Sequence, residues 1–478
     1  MDKYRLRFNN EFNKYIQLYE HIKSLIDKNQ IEDGEKLPSI RELADFLKLN
    51  KVTIINAYKK LQVEGYANQK IGSGTYAKRR DSIRGFKKSY SITFKKLSSG
   101  RLGDVIDFTG ETTSADFFPV SDLKAVLNDV LDRDGAEALI YQDVLGYEKL
   151  RERINEKFWD NKLDFDDILV VSGAQQGIDI VSKALINVND NIIVEKPTYS
   201  GALSVFKSRK ANIFEVPIEK DGVDLEALKK ILKKNKVKCF YFMSYFQNPS
   251  TVSYSDSKKK ELLKLAEEHD FYIIEDDYLS ELIYDENTKY SSMKSYDKND
   301  RVIYIKSFSK IFLPGIRIGY LVCPRIFKDS VQNSKVNTDI STSSLMQRAL
   351  EMYMEREYWV EHIKLLNVKY KERYEFMKTE IQKKLNERVE FNPPGGGLHF
   401  YLKLSDSIQI NSIELFYKLR EKGILITPGV MFYKHSKEGE RYFKIGFSQT
   451  DSDKIRKGIE IISSVLSEEA EVYGIPNN

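Results

Sequence analysis

The segment from Ser307 to Gly319, SFSKIFLPGIRIG, sets Lys310 in the turn after an apolar strand, behind Ser307 and Ser309 and seven residues ahead of Arg317. A lone loop lysine is ordinarily a solvated charge. In this company it can do more: two hydroxyls and a guanidinium can hold a phosphate dianion, which leaves the lysine amine free to form an imine with a carbonyl compound. Two other segments offer matching chemistry. Ser172-Gly173-Ala174-Gln175 leads straight from a strand into a helix, whose free backbone N–H groups make an anion site. The run Glu275-Asp276-Asp277-Tyr278 ends another strand in carboxylates, and a carboxylate facing the nitrogen of a pyridine ring keeps that ring protonated and able to accept electrons.

The elements that must position these residues are short apolar strands alternating with helical stretches from Asp107 onward: DILVVSG, NIIVEKPTYS, KCFYFMS, FYIIEDDY and RVIYIKSFSK, with QQGIDIVSKALINV and KKKELLKLAEEH between them. This alternation predicts an α/β fold, a largely parallel sheet covered by helices, with ligand sites at the carboxyl ends of the strands. The polar residues named above all fall at such ends.

At 478 residues, 41% of them hydrophobic, the chain is long enough for two or three domains with sizeable cores. Its start, MDKYRLRFNN, has no apolar signal region, and no stretch is long and apolar enough to span a bilayer, so a cytoplasmic protein without a membrane partner is expected. The two cysteines, Cys239 and Cys323, sit in apolar runs, and the five histidines are scattered; neither a disulfide framework nor a zinc site is expected. The net charge of +5 is unevenly spread, because residues 1–100 hold 21 lysines and arginines against 11 acidic residues. Much of the excess lies in 78–101, a stretch without apolar periodicity that reads as a basic linker, either a solvated tether or a holder of phosphates.

Residues 14–78 predict helix, turn, helix, helix, hairpin. Ile16, Tyr19, Ile22 and Ile26 share one helical face; Ser39 with Glu42 forms a capping box for a helix starting at Ile40; and Asn50 caps a third helix running to Val63. Two helices joined by so short a turn fit a helix-turn-helix. In such a unit Lys51, Thr53 and Asn56, at the start of the second helix, face base edges in the major groove of double-stranded DNA, and Arg41 reaches a phosphate. Gly72 and Ser73 lie at the hairpin tip, small enough for close approach to a sugar-phosphate backbone.

The blocks LPSIRELA, N-x-x-T, EGY and GSGTY occur in this order, and the module resembles the winged helix-turn-helix of the GntR family, with Lys51 where that family more often has arginine. The pattern S-x-S-K-x-x-x-P-G-x-R-x-G, with the segments around it, resembles fold-type I aminotransferases: a large, mostly parallel α/β domain and a smaller C-terminal α+β domain. That resemblance implies pyridoxal 5'-phosphate as cofactor. Lys310 would be its Schiff-base lysine, and Ser307, Ser309, Arg317, Gly173, Ala174 and Gln175 its phosphate site. Asp276 would pair with the pyridine nitrogen, Tyr199 would stack on the ring, and Asn248 and Tyr278 would address the phenolic oxygen. Tyr141 would reach the phosphate of a neighbouring subunit.

Two positions depart from the pattern. Asn248-Pro249-Ser250-Thr251 carries a β-branched residue where the family usually has glycine, and Lys444, in RYFKIGFSQ, stands where aminotransferases place an arginine that clamps a substrate carboxylate. Lysine supplies charge without a bidentate fork. Arg441 is near, but three residues along a strand puts it on the opposite face. A winged helix (10–78), a basic linker (79–105) and an aminotransferase-like body (106–470) together resemble the MocR/GabR type of regulator. The resemblance implies a domain-swapped homodimer that binds an operator and senses a small amino-group effector, or the cofactor itself, with Lys444 on the effector. A working aminotransferase with an appended DNA-binding domain, and a cofactor-free regulator using the body to dimerise, are the alternatives.

Overall fold

The computed structural model describes residues 1–6, 8–9, 13–27, 30–32, 34–63, 66–70, 73–77, 82–98, 105–285 and 288–471. They fall into two compact units, Met1–Gly103 and Asp104–Asn478.

In the first unit α1 (Lys14–Asp27), α2 (Ile40–Leu47) and α3 (Lys51–Val63) precede a hairpin of β1 (Ala67–Lys70) and β2 (Gly74–Ala77). Both arms of the capping box form: Ser39 Oγ accepts from the Glu42 N–H at 3.2 Å, and Glu42 accepts from the Ser39 N–H at 2.8 Å. Lys48 ends α2 in the left-handed region, φ 53°, and Asn50 Oδ1 accepts from the Val52 N–H at 2.9 Å to open α3. Leu18, Ile22, Leu43, Ile54, Ala57 and Leu61 then share one core, each of them buried. Fully burying a leucine or isoleucine side chain contributes about 1.5–3 kcal/mol, which lets a small unit hold its shape.

The basic stretch is not extended throughout. Ser82–Ser98, within the stretch that reads as an aperiodic tether, is a 17-residue helix, α4. Phe86 is buried and packs its ring 5.6 Å from that of Tyr90, and Thr93 is buried with its hydroxyl donating to the Ser89 carbonyl at 3.1 Å. A stripe at 86, 90 and 93 is helical spacing, but it holds two aromatics and a threonine among lysines, too narrow to stand out as apolar periodicity.

The second unit opens with β3 (Ile106–Asp107) and is built on eight further strands: β4 (Ile168–Val171), β5 (Asn191–Lys196), β6 (Asn212–Glu219), β7 (Gly222–Val223), β8 (Cys239–Phe242), β9 (Tyr272–Asp277), β10 (Val302–Ser307) and β11 (Gly319–Val322). They line up in the order β4-β11-β10-β9-β8-β5-β6-β7. The run β10-β9-β8-β5-β6 is parallel, while β11 is antiparallel to both neighbours. β4, β8, β10 and β11 are buried along their whole length, as strands covered on both faces must be. α5 (Val120–Asp134), α6 (Glu148–Trp159), α7 (Ala174–Leu185) and α8 (Ser200–Ser208) are among the helices of this unit.

A smaller layer follows. β12 (Val389–Glu390), β13 (His399–Leu404), β15 (Thr427–Pro428) and β16 (Tyr442–Gly446) form an antiparallel sheet, and β14 (Ile424–Leu425) pairs in parallel with β3. Tyr401 and Thr427 flank Lys444 across this sheet, so Lys444 sits on a central strand. Among the described residues no helix is long and apolar enough to cross a membrane, and no cluster of side chains could hold a metal ion.

Candidate functional site

The carboxyl ends of β4, β9 and β10 meet around a cavity of about 220 Å³, and the turn between β10 and β11 carries Lys310 into its wall. At one end Arg317 adopts φ 52°, a costly conformation for a non-glycine residue, and its guanidinium donates to Ser309 Oγ at 3.1 Å and to the Ser172 carbonyl at 3.0 Å. Gly173, at φ 86°, begins α7 beneath that guanidinium; a Cβ there would lie 2.7 Å from Arg317 Nη2. Ser307 Oγ accepts from the Ser309 N–H at 3.2 Å. Ala174 and Gln175 open α7 and line the cavity, where the first N–H groups of a helix lack intrahelical acceptors. Guanidinium, hydroxyls and helix N-terminus thus converge as a cradle for a dianion.

At the other end Asp276 is buried. Tyr241 donates to its Oδ2 at 2.6 Å, and Oδ1 has no hydrogen-bond partner among the described residues. Burial, with the Asp277 charge adding to it and the Tyr241 hydrogen bond opposing, pushes the Asp276 carboxyl up to about 7. An orphaned acceptor of this kind lacks a cationic donor, and a protonated ring nitrogen would supply one. Asp277 differs in every respect: it accepts from Tyr304, Tyr290 and Ser280 at 2.6, 2.7 and 2.8 Å and faces Lys306 at 3.3 Å, a carboxylate consumed inside the protein. Between the two ends Tyr199 lines the cavity with its hydroxyl 3.3 Å from Gln175 Oε1, and burial raises its pKa to about 12. The donor set fits a phosphorylated pyridine aldehyde.

The remaining residues of the expected set, and those near it in sequence, make contacts of their own. Tyr278 borders the cavity, yet its hydroxyl donates to the Phe246 carbonyl at 2.8 Å. Asn248 donates to Glu111 Oε2 at 3.0 Å and accepts from Lys444 Nζ at 3.2 Å. Thr251 takes φ 67°, strained for a β-branched residue, in the turn where glycine is usual. Arg441 is used elsewhere, tied to the carbonyls of Leu404, Ser405, Ile408 and Ile410. Tyr141 lies outside this cavity, 78% exposed beside the exposed Leu139 and Ile140.

The sequence reading missed Glu111. It is buried, forms an ion pair with Lys444, and lies 3.8 Å from Lys310 Nζ. Burial works to raise its pKa, but the cations around it, Lys444 foremost, hold it at about 2. His399 Nδ1 is 3.2 Å from Glu111 Oε1 and its Nε2 is 3.1 Å from the Pro249 carbonyl; burial lowers the imidazole to about 4, so it is neutral near pH 7. The available signal was Lys444 itself: a lysine in the apolar strand YFKIGF requires a buried counter-ion.

In the first unit Lys51, Val52, Ile55, Asn56 and Lys59 make an exposed face on α3, with Thr53 half-buried at its edge and Arg41 exposed at the start of α2. Val52 and Ile55 are additions to the expected set, apolar groups able to meet thymine methyls. Ser73 is exposed, its hydroxyl 2.5 Å from that of Tyr76. Gly72 lies outside the described residues.

Residues 110–462 match the family model of aminotransferase class I and II. The chain belongs to that family. An aromatic-amino-acid aminotransferase of Thermococcus litoralis is 30% identical over 374 residues, covering 77% of this chain and 89% of that one. Among solved structures, the multiple substrate aminotransferase of Thermococcus profundus superimposes with a TM-score of 0.74 at 30% identity, over 80% of this chain and 95% of that one. This family member also carries a second part, since residues 14–77 match the bacterial regulatory proteins of the gntR family. YcxD of Bacillus subtilis, described as an uncharacterized HTH-type transcriptional regulator, is 27% identical over 460 residues, 95% of this chain and all of that one. A GntR module and an aminotransferase body in one chain are the MocR/GabR-type architecture.

Proposed function

We propose that this protein is a DNA-binding transcriptional regulator that holds pyridoxal 5'-phosphate in its aminotransferase body and uses it to sense a small amino compound. The observation that carries the reading is the cavity itself, in which Lys310, the Arg317 cradle and the orphaned Oδ1 of Asp276 converge in a chain that also bears a helix-turn-helix. When bound, the cofactor supplies an electrophilic carbon and an electron sink for primary amines. Arg317, Ser307, Ser309 and the N-terminus of α7 bind its phosphate; Asp276 keeps its ring nitrogen protonated, oriented by Tyr241; Tyr199 covers the ring; and Lys310 is the point of attachment. Asn248 and Tyr278 border the site through their own internal hydrogen bonds.

On the DNA side, Lys51, Thr53 and Asn56 read bases while Arg41, Gly72 and Ser73 hold the backbone of an operator. The protein works in the cytoplasm as a domain-swapped homodimer in which Tyr141, exposed on its own body, completes the partner's phosphate site. The domain limits proposed are 10–78, 79–105 and 106–470, the middle stretch containing α4. The test is the absorption spectrum of the purified protein before and after borohydride reduction, with peptide mapping of the adduct and operator binding measured with and without cofactor.

A second reading, a working aminotransferase that regulates its own operon, is favoured by the 30% identity to an aminotransferase. The pairing of Lys444 with Glu111 weighs against it.

A further inference from the structure

The ion pair behind the cavity bears on which ligands the cavity can admit. Glu111 touches two of the cavity's lining residues: Oε2 accepts from Asn248 Nδ2 at 3.0 Å and lies 3.8 Å from Lys310 Nζ. Oε1 takes the Lys444 ammonium, whose other neighbours are Asn248 Oδ1 at 3.2 Å and the face of Phe432, 5.0 Å to the ring centroid. Glu111, Asn248, Lys444 and Phe432 are buried, and Lys310 is half-buried. A ligand bearing a carboxylate beside its amino group needs a cation close to Lys310. Arg317 is committed to the opposite end through Ser309 and the Ser172 carbonyl, and His399 is neutral near pH 7. Among the described residues Lys444 is the remaining cation of the cluster, and a carboxylate of the chain itself already neutralises it. A second carboxylate brought beside Glu111 would meet a like charge in a poorly hydrated place, where repulsion is strong.

We propose that Glu111 sets the ligand class of this site: by holding Lys444 internally it excludes α-amino acids and leaves the cavity to primary amines that carry no carboxylate beside the amino group. The proposal rests on the reading of Lys310 as the cofactor lysine and names the class of amino compound sensed. Glu111 acts here by charge and occupancy, as a specificity-determining residue.

The test uses the full-length protein loaded with pyridoxal 5'-phosphate and ligand pairs that differ by a carboxylate: L-alanine and ethylamine, L-phenylalanine and 2-phenylethylamine, L-leucine and 3-methylbutylamine. Half-saturation is read from the shift of the cofactor absorption band and expressed as free-amine concentration. Each amine is expected to half-saturate the native protein at least about tenfold below its amino acid, and Glu111→Gln to narrow that ratio by about tenfold or more. A second readout bypasses the cofactor. Calorimetric titration with propionate, run in inorganic phosphate so that the Arg317 cradle is filled where the cofactor is absent, gives no saturable heat with the native protein, loaded or cofactor-free, and a saturable heat with Glu111→Gln, in which Lys444 is released. Should that variant fail to fold, Glu111→Gln combined with Lys444→Met leaves the cluster without either charge and still narrows the ratio, because the repelling carboxylate is gone. An amino acid that half-saturates the native protein at or below the concentration of its amine overturns the proposal, as do ratios unchanged in the folded variants. Absence of the absorption band and of any borohydride-stable adduct counts instead against the cofactor reading, while the propionate titration still reports on Glu111 and Lys444.

Discussion

Tyr241 donates a 2.6 Å hydrogen bond to one oxygen of Asp276 and leaves the other, equally buried, without a partner among the described residues. The carboxylate is therefore oriented but its charge is uncompensated, a state that a cationic ring nitrogen relieves.

This arrangement predicts a pH dependence of the cofactor-free protein. Burial raises the Asp276 pKa to about 7, so the folded chain keeps a proton that the unfolded chain releases near pH 4. Its stabilising share is full below about pH 4 and is lost as the pH rises towards 7. Between pH 5 and pH 8 native protein should lose on the order of 2–3 kcal/mol more than Asp276→Asn, at about 1.4 kcal/mol per pKa unit. Glu195 and Glu275, raised by burial to about 8 and about 7, slope the same way in both proteins, so the quantity to measure is the difference between denaturant curves of native and variant.

Lys310→Ala should abolish the borohydride-stable adduct and leave the fold intact. Among the described residues its Nζ makes one long ion pair, 3.8 Å to Glu111, and the side chain is 31% exposed, so the stability cost should stay under about 1 kcal/mol. Peptide mapping and circular dichroism check this; an adduct on another lysine would reassign the site.

Gly173→Ala should weaken cofactor binding at least about tenfold, through both the positive φ and the clash 2.7 Å from Arg317 Nη2, which drives the guanidinium off Ser309. Titration of cofactor-free protein followed by absorbance gives the ratio, and binding as tight as in the native protein would show that the cradle lies elsewhere.

On DNA the two kinds of contact should fail differently. Arg41→Ala should weaken binding to every sequence and reduce the salt slope by about 0.9, whereas Asn56→Ala should cost about 1–3 kcal/mol on the operator alone. Gel-shift titrations on operator and random DNA across salt concentrations separate them, and equal losses for both variants on both DNAs would count against this assignment.

Local signals in the chain were enough for much of this protein. Ser39 and Glu42 announce α2 because a capping box is closed within four residues, and the strand ends that carry Gly173, Asp276 and Ser307 are legible because apolar runs break off into polar turns. The winged helix and the aminotransferase body could both be read from such short blocks. What local pattern could not supply was partner choice over long separations. Glu111 and Lys444 stand 333 positions apart, and only the folded chain brings one buried charge to the other. Adjacent in sequence, Asp276 and Asp277 are alike on paper; strand alternation sends their side chains to opposite faces of β9, one to Tyr241 and the cavity, the other to Tyr304, Tyr290 and Lys306. Arg441 and Tyr278 likewise spend their hydrogen bonds on backbone carbonyls that no sequence window contains, because a buried donor takes whichever acceptor the packed chain brings within reach.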